Sequence, residues 1–374
     1  MPTTPKNSRQ PQPPSSHSKW HTHLTLDLLL KTMNYTILHP WFGWMFVLTL
    51  RAQMTPYTST YFITSAMYAT ILTLLFVGRV INQGVAYGKP REVDLGEEVV
   101  VITGGASGLG LLIAQIYGIR GVSVAVLDVK GPETKDGDED ILASDGLSGL
   151  ESVECYRCDV GNKEEVEDVL RRVDKDLGTP TVLINCAAAS INGQPILSLP
   201  AESFQRTIQI NLLGVFNTCQ VILPGMLSAD NGGTVVTVSS VLGHLTPACL
   251  SDYSASKAGL SALHRTLEAE LRASGHSNKV KTILVETGQM STPLFEKIKT
   301  PSNFFAPVLE PVQVAQEIVS AIDSGRGGVI RLPTFAAVVS WYAVLPAALQ
   351  RIARYLSGID FAVAKATPQG SISE

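Results

Sequence analysis

Residues 98–120 carry the pattern that most restricts the fold of this chain: an apolar run, a glycine-rich turn and a second apolar run. EVVVIT is followed by TGGASGLG, Thr103–Gly110, and then by LLIAQIYGIR at helical spacing. Glycines between a strand and a helix allow a tight turn that brings backbone N–H groups to a pyrophosphate. No Gly-Lys-Ser/Thr follows, which argues against a nucleoside triphosphate loop, and a purely structural turn is the alternative. The residues expected to hold a dinucleotide are Gly104, Ser107, Gly108, Leu109 and Gly110.

The chain beyond this turn alternates strand-like and helix-like segments. The strand-like runs are VSVAVLD, VECYRCDV, TVLIN, GTVVTVSS and VKTILVE, separated by helical patterns such as Lys163–Asp176. Strands that are apolar on both faces and alternate with helices predict a parallel, doubly wound sheet. We therefore predict an α/β fold of the Rossmann type, with a catalytic domain over residues 93–332.

Asp128 ends the second predicted strand. A carboxylate at this position accepts hydrogen bonds from both hydroxyls of the adenosine ribose and repels a 2′-phosphate. The sequence therefore favours NAD over NADP as the cofactor. The alternative is an ordinary strand-end aspartate that caps a turn.

The segment YSASK places Tyr253 and Lys257 four residues apart, on one face if they share a helix. Ser240 ends the preceding predicted strand. A phenol titrates near about 10 unperturbed, and a neighbouring ammonium with a cationic nicotinamide would favour the phenolate. Tyr253 could then exchange a proton with a substrate oxygen that Ser240 positions. Taken alone, either motif is more simply an exposed helical pair or a strand end.

Together, these motifs resemble the short-chain dehydrogenase/reductase family over Glu97–Leu332. The resemblance implies that Asn211 completes a catalytic tetrad with Ser240, Tyr253 and Lys257, and that Lys257 also binds the nicotinamide ribose. Further cofactor contacts are implied at CDV, NCAA and TGQMST, namely Asp159, Val160, Asn185, Gly288 and Thr292. Two family positions differ: alanine replaces the last glycine of the usual Asn-Asn-Ala-Gly, and Thr287 replaces the usual proline before glycine.

Two apolar stretches precede this domain. Met33–Leu50 and Ala52–Gly78 contain no Lys, Arg, Asp or Glu, and the second is long enough to span a bilayer. Pro40 interrupts the first. We predict a disordered tail at residues 1–23 and a membrane-anchoring region at 24–92, either a span or a hairpin in one leaflet; core helices of a soluble domain are the alternative. An apolar helix and tail are predicted at 333–374.

The composition excludes several classes of function. The formal net charge of −4 argues against nucleic acid as a partner, and 45% hydrophobic against 17% charged residues favours membrane contact. The five cysteines form no disulfide framework, and Cys155 and Cys158 lack the second pair that a zinc site needs. No metal site is predicted.

The prediction is an NAD-dependent oxidoreductase that interconverts a lipophilic alcohol, such as a retinoid, steroid or fatty alcohol, and its aldehyde or ketone. The anchor resembles that of the membrane-associated retinol and hydroxysteroid dehydrogenases, which implies an endoplasmic reticulum or lipid-droplet location with the catalytic domain facing the cytosol. The resemblance also implies a homodimer and a substrate lid after Thr292. The alternatives are an NADPH-dependent 3-ketosphinganine-type reductase and a non-catalytic lipid-droplet scaffold.

Overall fold

A seven-stranded sheet in the order β3-β2-β1-β4-β5-β6-β7 forms the centre of the protein, and all its pairings are parallel. The computed structural model describes residues 25–130, 146–296, 298, 300, 302, 304 and 306–363. The predicted tail at residues 1–23 lies outside them. The strands are β1 Val99–Thr103, β2 Ser123–Asp128, β3 Val153–Arg157, β4 Val182–Asn185, β5 Gly233–Ser240, β6 Val280–Thr287 and β7 Gly328–Leu332.

Helices cover both faces of this sheet. Since successive side chains of a strand point to opposite faces, Val100 and Ile102 pack beneath α4 and α10, whereas Val99 and Val101 pack on α5 and α7. The predicted doubly wound parallel sheet is confirmed. A π turn, Gln209–Leu213, joins α6 to α7. The helices are α1 Leu26–Tyr35, α2 Pro40–Ala52, α3 Thr60–Tyr87, α4 Gly108–Ile119, α5 Lys163–Asp176, α6 Ala201–Ile208, α7 Gly214–Ser228, α8 Leu242–Leu245, α9 Ser251–Ala273, α10 Pro311–Asp323, α11 Phe335–Val339 and α12 Ala347–Ser357.

The two apolar stretches before the sheet form a helical hairpin. Pro40 does not interrupt a helix but begins α2, where its missing N–H costs nothing. The other helix of the hairpin, α3, is shifted relative to the charge-free stretch Ala52–Gly78. It starts at Thr60 and continues past Arg79 to Tyr87. The two helices approach closely at Gly43, and Trp44 donates a hydrogen bond to Thr73 at 2.9 Å. Most of the apolar side chains of α3 remain exposed.

The C-terminal end of α3 is fastened to the amino edge of the sheet. Lys281, buried in β6, donates from Nζ to Tyr87 O at 3.0 Å and to Ser277 O at 2.9 Å. Gln83 donates to Gly327 O at 3.0 Å. An ammonium group is favourable at the negative end of a helix, and burial lowers the pKa of Lys281. The hairpin is therefore tied to the domain by polar contacts.

The N-terminal end of α1 lies at the opposite, carboxyl edge. Leu26 N donates to Phe304 O at 3.0 Å, and Thr334 N donates to Asp27 Oδ1 at 2.6 Å. The helices before the sheet therefore reach from its amino edge to the segment after Thr292.

The apolar stretch at Leu332–Leu349 does not form one helix. Pro333 precedes α11, a short turn follows at Tyr342–Val344, and Pro346 separates that turn from α12. Pro346 lies immediately before α12, where a proline is tolerated because the first N–H groups of a helix have no partner inside it.

Candidate active site

The glycine turn between β1 and α4 is folded tightly on itself. A Cβ at Gly110 would lie 2.5 Å from Gly104 O, and Gly104 itself has a φ of +67°. A Cβ at Gly104 would lie 2.7 Å from Ala187 Cα, in the loop after β4. Only glycine fits these two positions, because the backbone passes where a side chain would be. Ser107 precedes α4, so the first free N–H groups of that helix lie at this turn.

Asp128 lies beside this turn at the end of β2. Its Oδ2 accepts from Ala106 N at 3.1 Å, and its Oδ1 accepts from Lys130 N at 3.1 Å. A carboxylate oxygen has two lone pairs, so each oxygen can accept another hydrogen bond. Asp128 therefore shapes the turn and still presents negative charge next to it.

The ends of β3 and β4 carry three more residues singled out in the sequence. Asp159 Oδ1 accepts from Gly161 N at 2.9 Å, and Val160 is buried in the core on the α5 and α7 face. Asn185 is buried, and its Oδ1 accepts from Thr218 Oγ1 of α7 at 2.8 Å. The Asn185 side chain is thus engaged with α7, and its backbone, paired with Thr103, is what lies near the turn.

Ser240, Tyr253 and Lys257 come together at the carboxyl edge of the sheet. All three are buried, and Ser240 Oγ donates to Thr287 O at 3.3 Å and accepts from Leu242 N at 3.2 Å. Lys257 Nζ lies 5.7 Å from the centre of the Tyr253 ring and donates to Val238 O at 2.8 Å. The lysine therefore faces the ring of the tyrosine, and the serine lies near enough to affect the pKa of its phenol.

Burial changes the acidity of this trio. It raises the pKa of Tyr253 above its ordinary value, an effect that the nearby Ser240 hydroxyl opposes. Burial also lowers the pKa of Lys257 to about 8, and raises that of neighbouring Cys186 to about 12. In the chain by itself, the phenol of Tyr253 is therefore protonated at neutral pH, and a bound cation would have to add to the charge of Lys257 for the phenolate to form.

Asn211 lies in the π turn between α6 and α7 and is fully buried. Its Oδ1 accepts from Ala189 N at 2.7 Å, and its Nδ2 donates to Ser256 Oγ at 2.9 Å. It thereby ties the loop after β4 to α9, one residue before Lys257. The interruption of the α-helical pattern is what allows its side chain to reach both.

Gly288 and Thr292 follow β6 on the other side of the glycine turn. Gly288 N donates to Leu332 O at 2.7 Å, and a Cβ at Gly108 would lie 3.7 Å from Thr292 Cγ2. Phe295, just beyond, packs edge-to-face on Tyr253 with ring centres 6.3 Å apart. Phe295 thus places an apolar ring against the tyrosine.

Sequence reasoning did not single out Asp252, which is buried next to Tyr253. Its Oδ2 accepts from Asn192 Nδ2 at 2.6 Å and from Thr207 Oγ1 at 2.9 Å. Its Oδ1, like Ser254 Oγ, has no hydrogen-bond partner among the described residues. An aspartate at the start of a helix is ordinary in sequence, so nothing in the pattern indicated that it holds the loop after β4.

The cysteines and acidic residues suggest no further chemistry. All five cysteines are free thiols, and no cluster of three or more His, Cys, Asp or Glu suited to a metal is found in the described residues.

Comparison with known proteins identifies the class. The family model described as short chain dehydrogenase matches residues 98–303, more than half of the chain. The chain therefore belongs to the short-chain dehydrogenase family and is an oxidoreductase that acts on CH–OH groups.

Three relatives and one solved structure extend this comparison. Two are yeast proteins from Saccharomyces cerevisiae: "Uncharacterized oxidoreductase TDA5", 30% identical over 74% of this chain and 80% of that protein, and "Uncharacterized oxidoreductase YDL114W", 28% identical over 70% and 82%. Human "Retinol dehydrogenase 10" is 31% identical over 63% of this chain and 74% of that protein. The solved structure titled "Crystal structure of gox2181" aligns with a TM-score of 0.54 at 23% identity, covering 66% of this chain and 97% of that chain. At that identity it shows the fold alone.

The family implies a nicotinamide cofactor, and the residues present fit one. The close approach at Gly104 and Gly110 leaves backbone N–H groups uncovered by side chains, as a pyrophosphate requires. Thr292 faces this turn across the edge of the sheet. Ser240 lies at the same edge, at the end of β5, with Tyr253 and Lys257 on α9. The strand order reverses at this edge between β1 and β4, where open α/β sheets bind their ligands.

Proposed function

We propose that this protein is an NAD-dependent oxidoreductase that interconverts a lipophilic alcohol and its aldehyde or ketone at a membrane surface. The observation that carries the cofactor choice is Asp128, whose carboxylate is fixed against the glycine turn by Ala106 N and Lys130 N. A negative charge held there would accept the ribose hydroxyls of NAD and repel the 2′-phosphate of NADP.

The catalytic groups have separate tasks. The nicotinamide supplies the hydride acceptor or donor. Ser240 holds the substrate oxygen, and Tyr253 takes its proton during oxidation or returns it during reduction. Burial raises the pKa of Tyr253 and so disfavours its phenolate. The positive charge of Lys257, together with that of an oxidised nicotinamide, would offset this effect. Asn211 keeps α9 and the loop after β4 in register through Ser256 and Ala189.

The contacts of α1 support the substrate class and the site of action. The N-terminal end of α1 contacts Phe304, within the segment that lies after Thr292, and leads into the exposed apolar hairpin of α2 and α3. A substrate dissolved in the bilayer would therefore reach the site along apolar surface. The retinol dehydrogenase relatives are consistent with this proposal. We propose an endoplasmic reticulum or lipid-droplet surface, with the domain facing the cytosol. We also propose a homodimer that pairs through α7, which follows Asn211, and α9, which carries Tyr253.

Fluorescence titration of the full-length protein with NADH and NADPH tests the cofactor assignment. We expect tighter binding of NADH than of NADPH. Asp128→Asn should lower the ratio of the Kd for NADPH to the Kd for NADH by about tenfold or more, because the charge that repels the 2′-phosphate is lost. Asp94→Asn is the matched control, since Asp94 also accepts a backbone N–H in a turn but lies at the amino edge. Preferential binding of NADPH by the wild-type protein would reject the assignment and favour the 3-ketosphinganine-type reductase.

Turnover tests the chemistry. We expect NAD-linked oxidation of retinol or another long-chain alcohol in phospholipid vesicles, and its loss in Tyr253→Phe with NADH binding retained. The non-catalytic scaffold alternative would instead be supported if the wild-type protein bound the cofactor but turned over no alcohol or ketone, and if Tyr253→Phe left cofactor binding unchanged.

A further inference from the structure

The last helix, α12, is attached to the domain without being packed into it. None of its residues is buried. Leu349, Ile352 and Leu356 recur at helical spacing, and their exposed fractions are 49%, 54% and 77%. An isolated helix of this length is marginal in water, and most helices are stabilised by burying such an apolar stripe. The exposed stripe of α12 therefore needs a surface that the described residues do not supply.

The opposite side of α12 lines an open cleft of about 430 Å³. Gln350, Arg351 and Arg354 border it from the helix, and His244 and Thr246 border it from the loop after β5. Because a cleft separates the two, the helix and the loop are not held together by close apolar packing.

Arg354 bridges this cleft. Its Nη1 donates to Leu245 O at 2.7 Å, and its Nη2 donates to Thr246 O at 3.1 Å. Asp360 orients the guanidinium by accepting from Nε at 3.0 Å. Thr246 has a φ of +42°, a left-handed conformation that is costly for a residue other than glycine and persists only when its surroundings hold it. The arginine satisfies the carbonyl groups at this strained point.

The loop held by Arg354 belongs to the active site. It leaves β5 at Ser240 and returns to α9 just before Tyr253. Its other supports include the pair between His244 Nε2 and Glu286 Oε1 at 2.9 Å and a small cluster of Val241 with residues of α11. Gly243 also packs closely against Ala258 of α9, and Leu250 is buried in the core. A change in the position of Arg354 would therefore move the part of the loop between the two catalytic groups.

A lipid surface is the occupant that fits the apolar stripe. Trp341 and Tyr355 are exposed beside it, and aromatic residues of this kind favour membrane interfaces. The bond between Asp27 and Thr334, one residue before α11, also joins this region to the apolar helices at the other end of the chain.

We propose that Arg354 is a positioning residue that couples seating of α12 on a lipid bilayer to the order of the loop at residues 241–250, and so to the binding of a lipophilic substrate. The part about substrate rests on the proposed function; the coupling itself does not. With α12 seated, the guanidinium holds Leu245 and Thr246; without a surface, the helix frays and the loop loses this support.

Hydrogen–deuterium exchange on the full-length protein in phosphatidylcholine–phosphatidylserine vesicles tests the coupling without any turnover. We expect Arg354→Ala and Leu356→Asp each to reduce the protection of backbone amides at 242–250, and the double variant to be no worse than either one. Arg351→Ala is the matched control: it removes an arginine from the same cleft and helix but no bond to the loop. Protection unchanged in Arg354→Ala, or strictly additive losses in the double variant, would overturn the proposal.

Kinetics then separate positioning from general destabilisation. In the same vesicles we expect Arg354→Ala to raise KM for retinol by about tenfold or more, because both charge-assisted hydrogen bonds to the loop are lost, while the Kd for NADH is unchanged. Arg354→Lys should recover part of this loss because it keeps one donor and the charge. If exchange changes as predicted but the wild-type protein oxidises no lipophilic alcohol, the coupling stands and the proposed substrate class falls. Wild-type turnover with an unchanged exchange pattern in Arg354→Ala rejects only the coupling.

Discussion

Replacing Lys257 with methionine separates the catalytic value of this lysine from its cost to stability. The side chain is buried beside Tyr253, and burial lowers its pKa from 10.5 to about 8. Methionine fills a similar volume without a charge. We expect the variant to lose oxidoreductase activity, while its stability relative to the wild-type protein depends on pH in a direction that the lowered pKa fixes.

The sign and size of this dependence follow from linkage. Between pH 8 and 10.5 the unfolded chain binds more protons at Lys257 than the folded chain does, so the free energy of unfolding of the wild-type protein rises with pH in this window. Each pKa unit corresponds to about 1.4 kcal/mol, so the full interval is worth about 3 kcal/mol. The methionine variant lacks this contribution. The free energy of unfolding of the variant, minus that of the wild-type protein, should therefore be highest near pH 7. This difference should fall by about 3 kcal/mol as the pH approaches 10.5.

The assay is urea denaturation followed by tryptophan fluorescence, at several pH values from 7 to 10, with wild-type and variant proteins compared at each. Tyr253→Phe is the control, because it alters the neighbouring side chain and keeps the lysine; it should retain the rise of the wild-type protein. A difference between wild type and Lys257→Met that does not change with pH would refute the argument that burial depresses the pKa of this lysine.

Three further predictions concern stability and cofactor binding. Arg91→Ala should lower the free energy of unfolding in urea by about 3–5 kcal/mol, since it leaves the buried Glu98 carboxylate without its ion-pair partner; a loss below about 1 kcal/mol would contradict this. Gly110→Ala should weaken NADH binding at least about tenfold in a fluorescence titration, because its Cβ would lie 2.5 Å from Gly104 O; unchanged affinity would mean that the turn is looser than the structure indicates. Gly84 of α3 is the contrasting case, because a Cβ there would meet no atom within 4 Å. Gly84→Ala should raise the thermal midpoint, by an amount equivalent to up to about 1 kcal/mol, because alanine favours a helix more than glycine does. A lower midpoint would indicate a close contact at this position.

Much of the fold was predictable because it depends on local patterns. Apolar strands alternating with helices require a parallel sheet covered on both faces, and the helix at Lys163–Asp176 was predicted with the bounds it has in the structure. The glycine turn was equally visible, since a strand, closely spaced glycines and a helix define a backbone path with little freedom. The positions of Ser240 at the end of a strand and of Tyr253 and Lys257 on one face of a helix were predictable from their spacing in the sequence.

Contacts between segments distant in sequence were not predictable. Asp252 looked like an ordinary residue at a helix start, yet it binds Asn192 and Thr207, which only the folded chain brings to it. Asn185 was predicted to bind the cofactor, and only the folded chain shows that its side chain accepts a hydrogen bond from Thr218 of α7.

The sequence by itself determined that this chain builds a doubly wound sheet with a glycine turn and an oxidoreductase motif, because periodicity, turn chemistry and i to i+4 spacing act within a few residues. Only the tertiary structure decided that Lys281 closes the end of α3 and that Arg354 reaches the loop between the catalytic groups. Those bonds join residues more than a hundred positions apart, and their partners are backbone carbonyl groups, which every residue carries and no sequence pattern distinguishes.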